Sequence, residues 1–278
     1  MKAYISVDME GMPYIVSSEH LGLKGLLYEE ARKIMTEIVV ISAESLHKNG
    51  FEKVVVADSH GPMVSIIPDA LPEYVDLVRG TSRPVSMTSG IESCDAALFL
   101  GYHAKAGTSH STFDHTYSSY TIDSLELNNI KVSEFLLNAY VAGHYNIPVI
   151  LVGGEEKLIE EDVKKFSPAT ETVVFKKSYS RYSSISNSFV KIRENLKESI
   201  AKAAKNFMDG KTKALTVKTP IEFKIRFLHT DMADMSELLP FIERVDGKTV
   251  KYVAKDIIEG YKIFEALVEL GIQAHPST

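Results

Sequence analysis

Short, nearly unbroken apolar runs recur along this chain at residues 3–7, 54–57, 96–100 and 149–152. Strands buried on both faces of a parallel sheet have this pattern. Between the first two runs, residues 28–48 carry a helical periodicity closed by Asn49-Gly50 as a C-terminal stop. Ser133 is a good N-cap for a second helix whose apolar face runs through Phe135, Leu136, Ala139 and Ala142. After the fourth run, Gly153-Gly154 opens an acidic-to-basic segment, 155–165, whose charges match the dipole of a surface helix. Strand then helix repeats at 172–175 and 188–208. The alternation predicts an α/β fold with a mostly parallel sheet and flanking helices.

Two stretches break this rhythm. From 114 to 132 the pattern is extended, with Asn128-Asn129 placed as a hairpin turn, so about 110–132 reads as an excursion that carries site residues. From 211 onward the order is a half-exposed strand at 222–228, a helix at 232–239, two short strands divided by Asp246-Gly247, and a helix at 254–270 stopped by Gly271. The reading is an α/β domain over 1–210 and a smaller C-terminal α+β domain over 211–278.

Composition narrows the function. The 278 residues are 45% hydrophobic and 24% charged, as in an ordinary globular enzyme. A net charge of −6 and the lack of a Lys/Arg-rich run argue against a nucleic-acid partner. No apolar run is long enough to span a bilayer, and the first residues lack a signal-peptide pattern, so no membrane partner and a cytoplasmic location are expected. A lone cysteine, Cys94, excludes an intramolecular disulfide and a cysteine-rich zinc site.

Candidate chemistry gathers where the predicted strands end, as it does in doubly wound folds. The first run delivers Asp8 and Glu10, two apart and so on one side of a strand. Side by side and buried, two carboxylates raise one another's pKa unless a cation lies between them. The second run leads into Asp58-Ser59-His60, and the third into Gly101-Tyr102-His103. His115 lies in the excursion and Glu134 in the first turn of the next helix. Mixed carboxylates and imidazoles suit zinc or a similar transition metal better than calcium or magnesium. With His115 set aside, three carboxylates and two imidazoles are too many for one four-coordinate zinc and about right for two ions sharing a carboxylate. Each residue also has a plainer reading: Asp8 and Asp58 as turn residues, Glu134 as surface charge at a helix start.

The segments Ser6-Val7-Asp8-Met9-Glu10-Gly11, Asp58-Ser59-His60, Gly101-Tyr102-His103-Ala104-Lys105-Ala106, Asp114-His115-Thr116 and the helix from Glu134 to Gly143 resemble, in order, those of the zinc-dependent D-aminopeptidases of the DppA type, peptidase family M55. The resemblance implies two Zn²⁺ ions per subunit: Asp8 as the bridge, Glu10 and His60 on one ion, His103 and Glu134 on the other. It implies His115 as the catalytic residue, with His110 in the preceding loop as its competitor. It also implies short peptide substrates and a ring-like homo-oligomer, such as a decamer, with sites facing an internal cavity. Asp58 is read as a partner that fixes a ligand imidazole, or else as a turn residue. Arg181 is read as a pair for a peptide carboxylate, or else as a solvated side chain.

The expected activity is hydrolysis of amino-terminal residues, D-alanine among them, by metal-activated water with His115 assisting. The alternatives are a dinuclear phosphoesterase or deacylase, and a non-catalytic peptide-binding protein. No Arg/Lys cluster accompanies the motifs to hold a phosphate.

Overall fold

The computed structural model describes residues 1–274. Its main sheet holds β1 (Lys2–Val7), β2 (Lys53–Asp58), β3 (Val75–Val78), β4 (Ala96–Tyr102), β7 (Val149–Glu155), β8 (Glu171–Ser180) and β9 (Ser183–Ile185), in the order β3-β2-β1-β4-β7-β8-β9. All neighbours pair in parallel except β8 and β9. The four apolar runs are four of its strands, β1, β2, β4 and β7, with one to three residues added at the ends. The sequence pattern missed β3, a short, half-exposed edge strand interrupted by Asp76.

Both faces of this sheet are covered, which is why its strands read as continuous hydrophobic runs. On one face, Ala3, Ile5, Val7 and Leu98 pack against α1 (Tyr28–Lys48) and α5 (Phe189–Met208). On the other, Tyr4, Val55 and Phe99 pack towards α2 (Glu134–His144) and a second, five-stranded sheet. The helical segment after β7 is broken into α3 (Glu156–Leu158) and α4 (Lys164–Phe166), joined by a wider π turn at Ile159–Val163. It begins at Glu156 because Glu155, still in the strand, caps it by accepting from the Lys157 and Leu158 amides.

The second sheet joins the excursion to the C-terminal segment. Its order is β11 (Glu243–Arg244), β12 (Thr249–Ala254), β10 (Ile221–Phe227), β5 (Ile122–Leu127) and β6 (Ile130–Lys131). The turn between β5 and β6 is Asn128-Asn129, both with positive φ (49° and 65°), which asparagine tolerates. α6 (Thr230–Ser236) and α7 (Ile257–Ala274) pack on this sheet. No helix among the described residues is long and apolar enough to cross a membrane.

Chain order fixes where a site can form. From β1 the chain moves outward to β2 and β3, then returns to the other side of β1 as β4. Connections diverge at such a switch point and leave a crevice beyond the carboxyl ends of β1 and β4.

Candidate metal centre

Asp8 and Glu10 stand at that crevice, though not by strand alternation. β1 ends at Val7, and both acids lie in the turn that follows. The turn is tied to the neighbouring strand: the Asp8 amide donates to Leu100 O (2.8 Å) and the Gly11 amide to Gly101 O (2.7 Å). Backbones meet here so closely that only glycine fits. A Cβ on Gly11 would lie 1.9 Å from Tyr102 O, and one on Gly101 (φ +73°) would lie 2.0 Å from Asp8 O.

Four further side chains converge on the pair. His60 follows β2 and brings Nδ1 to 2.8 Å from Glu10 Oε2 and 3.5 Å from Asp8 Oδ1. His103 follows β4, with Nε2 3.4 Å from Asp8 Oδ2 and 3.4 Å from Glu134 Oε2. Glu134 opens α2 behind the Ser133 cap, and its Oε1 accepts from the Tyr117 amide (2.7 Å). His115 Nε2 lies 3.4 Å from the same Oε1, and the His115 and His103 rings stack with centroids 4.2 Å apart. Ligand atoms of Asp8, Glu10 and His103 lie within 4.8 Å of one another, as do those of His103, His115 and Glu134.

Each imidazole is aimed by a carbonyl at its far nitrogen. His60 Nε2 meets Leu21 O (2.8 Å), His103 Nδ1 meets Ala104 O (3.0 Å), and His115 Nδ1 meets Phe113 O (2.8 Å). Such bonds fix the tautomer and leave the lone pair of the other nitrogen facing the centre. Asp58, read from sequence as the partner of a ligand imidazole or else as a turn residue, accepts from the Ile66 amide (2.7 Å) and so staples its own loop. Leu21, Ala104 and Phe113 act through backbone oxygens, which leave no mark in a sequence.

The charges are strongly coupled. Burial and the neighbouring Glu10 charge push the Asp8 carboxyl well up. Burial would raise Glu10 as well, but His60 beside it holds it well below the usual carboxylate range. Burial works against charge on His60 and His103 and loses: Glu10 and Asp8 raise His60, while Glu134 and Asp8 raise His103 to about 10. His103 and His115 hold Glu134 down against its own burial. His115 alone among the three imidazoles is lowered, by burial and by the charge of His103. Three buried carboxylates thus draw positive charge to themselves by whatever means is at hand.

The donor set fits a divalent transition metal. The five candidate ligand groups, Asp8, Glu10, His60, His103 and Glu134, are buried, the most exposed being Glu10 at 7%. Two of their atoms, Asp8 Oδ2 and His103 Nε2, have no hydrogen-bond partner among the described residues. Buried orphans of this kind cost about 1–3 kcal/mol each unless another ligand takes them up. Mixed imidazole nitrogen and carboxylate oxygen is the donor chemistry of zinc.

The centre opens into a cavity of about 910 Å³. His115 lines it, as do Arg181, Tyr182, Tyr120 and, from α7, Glu265. Arg181 is paired with Asp114 through Nη1, which also donates to Asp114 O (2.8 Å). His110 is exposed on the preceding loop. Behind the centre stands Lys176, buried on β8, whose ammonium is drawn down to about 7 by burial against the opposing pull of Glu10 and Glu155.

Comparison with known proteins finds matches over nearly the whole chain. A family model described as D-aminopeptidase, peptidase M55, matches residues 1–266. A D-aminopeptidase of Bacillus subtilis (strain 168) is 33% identical over 279 residues, with 98% of each chain covered. A solved structure of a Zn-dependent D-aminopeptidase, DppA from Bacillus subtilis, described as a self-compartmentalizing protease, superposes with a TM-score of 0.93 at 33% identity and 98% coverage of both chains.

Proposed function

This chain belongs to the D-aminopeptidase family M55, and from that premise we propose that it is a dinuclear zinc aminopeptidase. It removes amino-terminal D-residues such as D-alanine from short peptides or amides. The observation that carries the reading is Asp8, whose two oxygens face different histidines, Oδ1 towards His60 and Oδ2 towards His103. That is the disposition of a bridging carboxylate. Glu10 and His60 would hold one ion, and His103 and Glu134 the other. Zinc bound there acidifies water and polarises a carbonyl.

The protein's own groups do the rest. His115, with Nδ1–H donated to Phe113 O, turns the lone pair of Nε2 towards the centre. From there it takes a proton from the attacking water and returns it to the leaving amine. Burial lowers its pKa, which favours the neutral ring that can act as a base. Arg181 keeps guanidinium donors beyond those given to Asp114, and at the cavity wall they can meet the carboxylate of a short peptide.

Further parts of the proposal rest on the relatives and on composition. The self-compartmentalizing structural relative supports assembly into a homo-oligomer, and a ring of decamer size is the form proposed. A single buried cysteine suits the reducing cytoplasm.

Assaying zinc-loaded protein against D-alanyl amides, L-alanyl amides and a generic phosphate ester tests the activity. Faster cleavage of the D-alanyl amide is expected. Phosphate-ester turnover without amide cleavage, or peptide binding without turnover, would overturn it.

A further inference from the structure

Lys176 and Lys177 are neighbours on β8. The structure separates them. Lys177 is exposed and pairs with Glu156, whereas Lys176 is 1% exposed. A β-bulge makes the difference. Val174 pairs with Gly154 and Lys176 with Glu155, so Phe175 is the extra residue on β8. Across it the inward positions change from Val173 and Phe175 to Lys176 and Ser178. Bulges re-aim side chains in this way and recur beside active sites.

The re-aimed ammonium reaches the back of the metal centre. Nζ donates to Glu10 O (2.5 Å) and to Ile15 O (2.6 Å), the two ends of the turn that carries Glu10. It also lies 5.8 Å from the ring centroid of Phe113, whose carbonyl fixes His115. The neighbouring charges are Glu10 and Asp8 on the metal side and Glu155 across the strand pair. Burying an ammonium costs several kcal/mol, and an apolar side chain of the same length would fill the space without that cost.

We infer that Lys176 is a positioning residue of the metal centre, clamping the turn from Glu10 to Ile15 from behind and so holding the Glu10 carboxylate beside His60. In its protonated form it also offsets the mutual repulsion of Asp8 and Glu10. The inference rests on the metal-centre reading above. It concerns the protein's hold on metal rather than the hydrolytic step.

Zinc affinity, measured by competition with a chromophoric chelator on the full-length protein, tests it. Lys176→Met should bind one of the two zinc equivalents about 10–100-fold more weakly than wild type, the loss typical of removing a group that orients a ligand. Lys177→Met should bind as wild type does. Thermal unfolding in EDTA separates positioning from plain structural support. If Lys176→Met is destabilised without metal yet keeps wild-type zinc affinity, the inference fails. Should Lys176→Met not fold, Lys176→Gln, which keeps an N–H donor and loses the charge, carries the same expectation; unchanged affinity there overturns it too. Failure of wild type itself to take up zinc would sink the metal-centre reading and not this step alone.

Discussion

Asp8 Oδ2 and His103 Nε2 face one another across 3.4 Å in the protein interior, and neither has a hydrogen-bond partner among the described residues. Asp8 Oδ1, by contrast, accepts from the Met9 amide and lies near His60. One carboxylate therefore serves two sides of the centre. Asp8→Ala should lose both zinc equivalents, and Glu10→Ala chiefly one. Metal counting after gel filtration at low free zinc would decide this; equal losses in the two variants would refute the division.

His115 lines the cavity with Nε2 3.4 Å from Glu134 Oε1, a position open to a catalytic group and to a ligand alike. The two roles predict different outcomes. As a proton carrier, His115→Ala should lower kcat by about 10²–10⁴-fold while leaving zinc content at the wild-type value. Loss of one zinc equivalent in that variant would make it a ligand instead. His110→Ala, on the exposed loop, should change neither.

Much of this was legible in the sequence, because the informative signals are local. The helix at 28–48 and the Ser133 cap stand where the periodicity put them, since a cap and an apolar stripe are written in adjacent residues. Asn128-Asn129 marked its turn for the same reason. What stayed hidden depends on distant partners. Nothing in residues 122–131 says that they pair with β10, some hundred residues later. Asp8 and Glu10 do lie together, but a turn tied to β4, and not the strand alternation read from sequence, brings them there. The carbonyls of Leu21, Ala104 and Phe113 have no side-chain signature, and Lys176 is turned inward only by a bulge in the pairing of β7 with β8.

Gly101 offers a test of how tightly β4 is bound to the Asp8 turn. Its φ of +73° disfavours any side chain, and a Cβ would meet Asp8 O at 2.0 Å. Gly210 has nearly the same backbone (φ +68°) with nothing within 4 Å. Gly210→Ala should therefore cost only the backbone term, about 1–2 kcal/mol. Gly101→Ala should cost clearly more, and should weaken zinc binding because the clash falls on the backbone of a ligand. Equal shifts in Tm for the two variants, with zinc affinity unchanged in both, would show that the contact is slack.

Glu265, on α7 at the cavity wall, predicts a pH dependence of stability. Burial raises its carboxyl to about 7, against the pull of Ser86 and Arg83 and helped by Glu269. In the unfolded chain the same group titrates near its ordinary 4.5. Below that value it is protonated in both states and contributes nothing. Between about 4.5 and 7 the folded protein holds a proton that the unfolded chain releases, so stability falls as pH rises through this window and levels off above it. The full effect is roughly 2–3 kcal/mol after allowance for partial exposure. Glu265→Gln removes the titrating group, so its stability relative to wild type should climb from pH 4.5 to pH 7 and then stay constant. Urea unfolding of both proteins in EDTA, across pH 4.5–8, measures that difference directly, with the titration of the metal centre common to both. A difference that does not vary with pH would mean that the Glu265 carboxyl is ionised at neutral pH in the folded protein, with Arg83 outweighing its burial.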